Sequence, residues 1–232
     1  MNRKKEITDI IRTGLIVSCQ ALSHEPLHSS FIMAKMSLAA YEGGAVCIRA
    51  NSYEDIKAIK EEVDLPIIGL VKRDYDDSPI YITPTMREVR EVAEAGAEVV
   101  AIDATHRIRP KGELLVDMVK QIKTAFPSLY MMADVATLEE AIYAESIGFD
   151  LVSSTLNGYT EYTMTSVLPN LDLVEAMTQS LSIPVIAEGG IWDYQDTRKA
   201  LEKGAYAVVV GTAITRPQEI TKKFVSAMKE LL

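Results

Sequence analysis

The sequence predicts a (β/α)₈ barrel of parallel strands, preceded by a short N-terminal helix and filling residues 1–232 as one domain. Three observations carry this expectation. Short apolar runs alternate eight times with helical stretches, the pattern of a parallel sheet covered by helices. Four helix ends resemble one another: EGGAV at 42, EAGAEVV at 94, SIGFDLV at 146 and EKGAYAVVV at 202. Their last glycines, Gly44, Gly96, Gly148 and Gly204, recur at steps of 52, 52 and 56 residues (44 to 96, 96 to 148, 148 to 204). Each step spans two βα units, so the chain reads as four quarter-barrels; a doubly wound open sheet of the same elements needs no such regularity. Lastly, two glycine-ended strands follow one another near the C-terminus, in IPVIAEGGIW (183–192) and AVVVGT (207–212). Barrels of this kind place a phosphate site after strands 7 and 8.

Taken in order, Asn2 to Arg12 reads as a short helix, suited to plug the barrel bottom and ended near Gly14. LIVSCQ is the first strand, with Gln20 at its carboxyl end. A polar loop covers His24 to Ser30, and a helix follows from Ser30 to Tyr41. AVCIRA is the second strand, with Arg49 near its top. Ser52 caps a helix to Glu62, and Pro66 opens PIIGLVKR, which ends on Lys72 and Arg73. After an acidic loop, a helix starts at Thr83-Pro84 and reaches Gly96. VVAIDAT delivers Asp103 and Thr105. Lys111 to Phe126 reads as helix, Leu129 to Asp134 as strand, Thr137 to Ile147 as helix, and LVSSTLNGYT holds the sixth strand. Leu171 to Leu181 and Asp193 to Lys203 are helices flanking the seventh strand, and Pro217 opens the last helix as a natural first helical residue.

Composition bounds the function. The chain has 232 residues, 48% of them hydrophobic, enough for one barrel with a sizeable core. A net charge of −9 disfavours nucleic acid and anionic membranes, which select basic patches. It leaves room for an anionic small molecule, which needs only a local positive site. Cys19 and Cys47 lie far apart in predicted strands and are expected to be small core residues, not a disulfide. The N-terminus lacks the apolar stretch of a signal peptide, and no apolar run is long enough to span a membrane. A cytoplasmic location is expected, and a homodimer is left open.

Catalytic groups of a parallel barrel sit at the carboxyl ends of its strands. Those positions hold Gln20, Arg49, Lys72, Asp103, Thr105, Asp134, Thr155, Glu188 and the pair Gly211-Thr212. Lys72 follows the apolar run IIGLV, so desolvation should lower its pKa from about 10.4 toward neutrality, making it a usable base or nucleophile. The alternative is a barrel-top lysine paired with Glu188 or Asp134. Glu188, set before Gly189-Gly190, is an acid for the mouth or a turn cap. Arg49 and Arg216 are candidate anion ligands, since guanidinium binds phosphate or carboxylate bidentately. Arg73, Arg107 and Arg109 are read as surface arginines. His24, His28 and His106 lack metal-ligand spacing, and no GxGxxG follows the first strand, so neither a metal nor a dinucleotide is expected.

VSCQA, GLVKRDY, AIDATHRIRP, MADVAT, STLNGYT, IAEGGI and VVGTAITRP together resemble the N-acetylmannosamine-6-phosphate 2-epimerase family. The resemblance runs from Gly14 to the final helix. It implies a (β/α)₈ barrel of amino-sugar and sialic acid catabolism that interconverts N-acetylmannosamine 6-phosphate and N-acetylglucosamine 6-phosphate without a cofactor. It also implies Lys72 and Glu188 as catalytic residues. Gln20, Arg49, Asp134 and Arg216 fall on substrate contacts, and Gly189, Gly190 and Gly211 on the phosphate site; from their strand-end positions Thr155 is read as a further substrate contact and Thr212 as part of the phosphate site. Two other classes fit the same strand ends: a Schiff-base aldolase using Lys72 as nucleophile, and a phosphosugar-binding regulator needing neither Lys72 nor Glu188.

Overall fold

The structure is a computed structural model that describes residues 3–229. Asn2, which the sequence places in the first helix, lies outside the described residues. Eight strands pair in sequence order, all parallel: β1 (Leu15–Cys19), β2 (Cys47–Asn51), β3 (Ile67–Leu70), β4 (Val99–Asp103), β5 (Tyr130–Asp134), β6 (Leu151–Ser153), β7 (Val185–Ala187) and β8 (Ala207–Val210). Pairing of Leu15 with Val208 and Val17 with Val210 joins β1 to β8 and closes the barrel. The helices that return the chain are α2 (Ser30–Glu42), α3 (Tyr53–Glu62), α4 (Met86–Glu94), α5 (Leu115–Ala125), α6 (Leu138–Ile147), α7 (Leu171–Ser180) and α8 (Tyr194–Glu202). Before β1 lies α1 (Arg3–Ile11), and after β8 come α9 (Thr212–Thr215) and α10 (Pro217–Lys229).

The quarter-barrel repeat has a backbone cause. Gly44, Gly96, Gly148 and Gly204 all have φ between 92° and 98°, a left-handed conformation that L side chains rarely adopt. Each ends an even-numbered helix and redirects the chain into the next even-numbered strand.

Strand alternation sets two apolar layers. Ile16, Cys47, Ile68, Leu70, Val99, Ala101, Tyr130, Met132, Leu151, Ile186, Ala207 and Val209 fill the interior. Val17, Ile48, Ile67, Val100, Ile102, Met131, Val152, Val185 and Val208 face outward against the helices. Both cysteines are free and buried, and burial pushes their thiols up to about 11 for Cys19 and about 12 for Cys47. From α1, Ile7 and Ile11 enter the inner cluster and close its bottom. Each such buried Ile contributes roughly 1.5–3 kcal/mol.

Three local expectations need correction. The left-handed residue after α1 is Thr13, with φ 54°. Gly14 is needed because a Cβ there would meet Val46 Cγ2 at 2.2 Å. α4 starts later than Thr83-Pro84, because the Thr83 hydroxyl is drawn away to Ala101 O at 2.6 Å and Thr85 with Glu88 forms the capping box. Lys111 has φ 57° within a single 3₁₀ turn, Pro110–Gly112, so α5 begins only at Leu115. The short α9 was not foreseen, since four residues between Gly211 and Arg216 are too few to show a period. Nothing in α10 is buried, and Phe224 and Met228 stand exposed on it. Among the described residues no helix is long and apolar enough to cross a membrane.

Candidate active site

The period that fills the barrel also builds its mouth. Continuing the inward positions by two residues from Ser18, Cys47, Leu70, Met132, Ser153, Ile186 and Val209 reaches Gln20, Arg49, Lys72, Asp134, Thr155, Glu188 and Gly211. A cavity of about 880 Å³ opens there, lined among others by Gln20, Arg49, Lys72, Thr155, Glu188, Gly189, Gly190, Gly211, Thr212 and Arg216. Ten of the eleven residues expected from the sequence to serve catalysis, substrate or phosphate therefore share one cavity.

Asp134 is the exception. It is 0% exposed and does not line the cavity. Its two oxygens take Arg49 Nη1 at 3.0 Å and Nη2 at 2.5 Å, and Arg49 is itself only 1% exposed. Arg49 Nη1 also donates to Glu188 Oε2 at 2.7 Å. The guanidinium is thus held between two carboxylates while still lining the cavity. The Thr155 hydroxyl lies 2.8 Å from Asp134 Oδ1, 3.0 Å from Glu188 Oε2 and 2.8 Å from Ser153 Oγ. Its single proton can serve one of these at a time.

Lys72 differs from both arginines of the mouth. Its backbone N–H is fixed by Asn51 Oδ1 at 2.8 Å, yet its ammonium makes no hydrogen bond or ion pair among the described residues. Burial lowers its pKa from 10.5 to about 8, helped by the Arg49 and Arg216 charges and opposed by Glu188 and Asp134. Burial likewise raises the Glu188 carboxyl above its ordinary value; Asp134 adds to this, while Arg49, Thr155 and Lys72 oppose it. Half the Lys72–Glu188 pair is therefore biased toward a free amine and half toward a carboxylic acid.

Gly189 and Gly190 have φ of 108° and 69°, and their amides find no acceptor among the described residues. Gly190 has a second constraint, for a Cβ there would meet Leu168 Cβ at 2.4 Å. Gly211 caps α9, and Arg216 ends it.

Several strand-end candidates do not reach the cavity. Asp103 is buried and held by Thr105 Oγ1 at 2.7 Å and Arg107 Nη2 at 2.5 Å. Arg109 is no surface residue: it is 3% exposed and donates to the carbonyls of Asp103, Thr83 and Pro84. Arg73 turns to Glu88 and Glu91 on α4. His106 packs at a 47° tilt against Tyr143, with 5.5 Å between centroids, whereas His24 and His28 do line the cavity. The sequence reading also missed Ser154 and Asn51. Ser154 Oγ donates to Glu188 O at 2.8 Å and accepts from Glu188 N–H at 3.0 Å, pinning the backbone just past β7. Its signal was the polar run Ser153-Ser154-Thr155 closing an apolar strand.

A half-buried amine and a half-buried acid facing one barrel-mouth cavity are equipped for proton transfer, as in a (β/α)₈-barrel isomerase. A model of the NanE family, described as "Putative N-acetylmannosamine-6-phosphate epimerase", matches residues 33–230. The chain belongs to this family of carbohydrate epimerases. A relative from Caldanaerobacter subterraneus subsp. tengcongensis, named likewise as a 2-epimerase, is 57% identical over 97% of this chain and 95% of its own. One from Listeria welshimeri is 51% identical over 97% and 96%. The solved structure of the N-acetylmannosamine-6-phosphate 2-epimerase from Clostridium perfringens superposes with a TM-score of 0.92, at 53% identity and 95% coverage of both chains. A thiamine phosphate pyrophosphorylase from Pyrococcus furiosus, at 21% identity and a TM-score of 0.65 over 93% and 92% of the two chains, shares the fold alone.

Proposed function

We propose that this chain interconverts N-acetylmannosamine 6-phosphate and N-acetylglucosamine 6-phosphate by inverting C2. The observation that carries the reading is Lys72: an unpaired amine in the cavity whose pKa is held at about 8, so that a sizeable fraction is neutral near pH 7–8. The names of the relatives supply the sugar.

The sugar ring opens to expose the C1 aldehyde. Lys72 Nζ takes the C2 proton, and the C–H electron pair moves into a C1–C2 double bond as the carbonyl oxygen becomes an enolate oxygen. A proton returned to the opposite face of C2 restores the aldehyde with inverted configuration. Glu188, biased toward its acid form, supplies the proton that ring opening or the enolate oxygen needs. Arg49 and Asp134 hold Glu188, and Thr155 and Gln20 face the sugar. The phosphate takes the free amides of Gly189 and Gly190 together with Gly211, Thr212 and Arg216. No step calls on a cofactor. In the cell this chemistry belongs to cytoplasmic amino-sugar and sialic acid breakdown.

Proton NMR with N-acetylmannosamine 6-phosphate in deuterated water tests the reading. The expected result is conversion to the gluco epimer with deuterium at C2, abolished in Lys72→Ala. Conversion without loss of the C2 proton, or exchange that survives in Lys72→Ala, removes Lys72 as the base. Borohydride trapping of a sugar on Lys72 would favour the Schiff-base aldolase instead. We further propose a homodimer, supported by the exposed Phe224, Val225 and Met228 of α10; a monomer in light scattering at working concentration refutes it.

A further inference from the structure

Arg216 does not stand loose beside the cavity. Its Nε meets Glu25 Oε1 at 3.1 Å and its Nη2 meets Glu25 Oε2 at 3.1 Å, a two-pronged pair. Glu25 lies in the loop between β1 and α2, and it is only 10% exposed. Its carboxylate is fixed from two more sides, by the Leu22 N–H at 2.7 Å and by Gln218 Nε2 at 2.8 Å. Arg216 lines the cavity but Glu25 does not. The carboxylate therefore sits behind the guanidinium, and Arg216 Nη1 makes no hydrogen bond among the described residues. Two strands round the barrel, Arg49 of β2 likewise has a carboxylate behind it, Asp134.

We propose that Glu25 is a positioning residue for the anionic end of the substrate. It acts through Arg216, turning the free Nη1 end of the guanidinium into the cavity. It also ties the β1–α2 loop, which contributes Ala21, Leu22, Ser23, His24 and His28 to the cavity wall, to the same anchor. This rests on the reading that a phosphate occupies the β7–β8 end of the mouth. A long side chain that spends one edge of its fork on a fixed partner keeps less rotamer freedom to lose when an anion arrives. The sign follows from the geometry. Were Glu25 a competitor seated where the anion binds, its removal would tighten binding; because it lies outside the cavity, its removal weakens binding.

The experiment is a two-by-two set of wild type, Glu25→Gln, Arg216→Met and the double variant, with KM and kcat for N-acetylmannosamine 6-phosphate. Glutamine keeps the shape and one acceptor for Leu22 N–H, so folding is followed by melting temperature alongside. Glu25→Gln is expected to raise KM about tenfold with kcat changed less than twofold, and to add nothing once Arg216 is Met. A KM that stays level or falls overturns the proposal. So does an undiminished effect in the Arg216→Met background, because a merely structural residue would act equally in both. If the wild type does not turn over the sugar, the epimerase reading fails separately. Calorimetric titration with inorganic phosphate then decides: about tenfold weaker binding to Glu25→Gln supports the positioning role, and equal binding ends it.

Discussion

Asp134→Asn removes one charge from the bottom of the mouth and changes almost no volume. Asp134 and Arg49 are buried to 0% and 1% exposure and joined by contacts of 3.0 and 2.5 Å. Asparagine keeps one acceptor for Nη1, but its amide faces Nη2 donor to donor. Arg49 then retains only Glu188, at 2.7 Å, as a counter-charge. Removing one partner of a buried ion pair costs about 3–5 kcal/mol, and the surviving Glu188 contact places this case near the lower figure, about 3. In a chain of this size each kcal/mol moves the melting temperature by roughly 2–4 °C, so the expected drop is roughly 6–12 °C. Differential scanning calorimetry reads it directly. The control is Asp117→Asn, which breaks an exposed pair with Lys120 and should stay within about 0.5 kcal/mol of wild type. A drop for Asp134→Asn under about 2 °C, or no larger than the control, refutes the claim that this pair fixes the site.

The other expectations are independent of that pair's energy. Glu188→Gln should lower kcat about 10²-fold, the scale of general acid–base help; full activity would reduce Glu188 to a partner of Arg49. Gly190→Val should lose folding stability as well as raise KM, because its Cβ meets Leu168 before any ligand does; an unchanged melting temperature contradicts this. For Lys72 the sign runs opposite to a salt-bridged lysine. Its folded pKa of about 8 lies below the ordinary 10.5, so the cost of holding its charge is present below about 8 and disappears as pH rises toward 10.5. Lys72→Met should therefore gain up to roughly 3 kcal/mol over wild type near pH 7 in urea unfolding, a margin that shrinks toward pH 10. A constant margin across that range would show that the charge is not the cause. Wild-type kcat/KM should climb with pH through about 8.

Most of the mouth was legible because strand alternation is a strict period. Once β2 is known to bury Cys47 inward, Arg49 must point the same way, and the same count delivers Lys72 and Glu188. Depth was not legible in the same way. Asp134 and Arg49 are both inward strand ends, but which lies below the other depends on the stagger between β2 and β5, two strands that do not pair. Asp103 obeys the period too, yet Thr105 and Arg107 capture it locally, a competition that no spacing records. Arg109 looked like a loop arginine because nothing in a sequence marks carbonyls of Thr83 and Pro84 left waiting for a donor. Likewise Glu25 and Arg216 meet across 191 positions only because the barrel closes its first loop onto its last.

Two arginines and one lysine face the cavity, and the protein treats them differently. Arg49 has Asp134 behind it and Arg216 has Glu25, so both guanidinium charges are balanced before any substrate arrives. Among the described residues Lys72 has no carboxylate within bonding reach, and burial, helped by the two arginine charges, pushes its proton off. That favours a neutral amine in the empty mouth, which a base must be. A base must also hold the proton it takes, and a C2–H beside a carbonyl gives it up reluctantly. On the proposed reading, a phosphosugar changes the balance in the useful direction. It brings a dianion into the cavity and, at the moment of transfer, a developing negative oxygen next to C2, and both raise the lysine pKa. In the proposed mechanism, desolvation keeps the amine free in the unliganded enzyme, and the substrate's own charge then stabilises the ammonium that proton transfer creates. A lysine paired from the outset with Glu188 would forfeit the first step, and an arginine in its place would forfeit both.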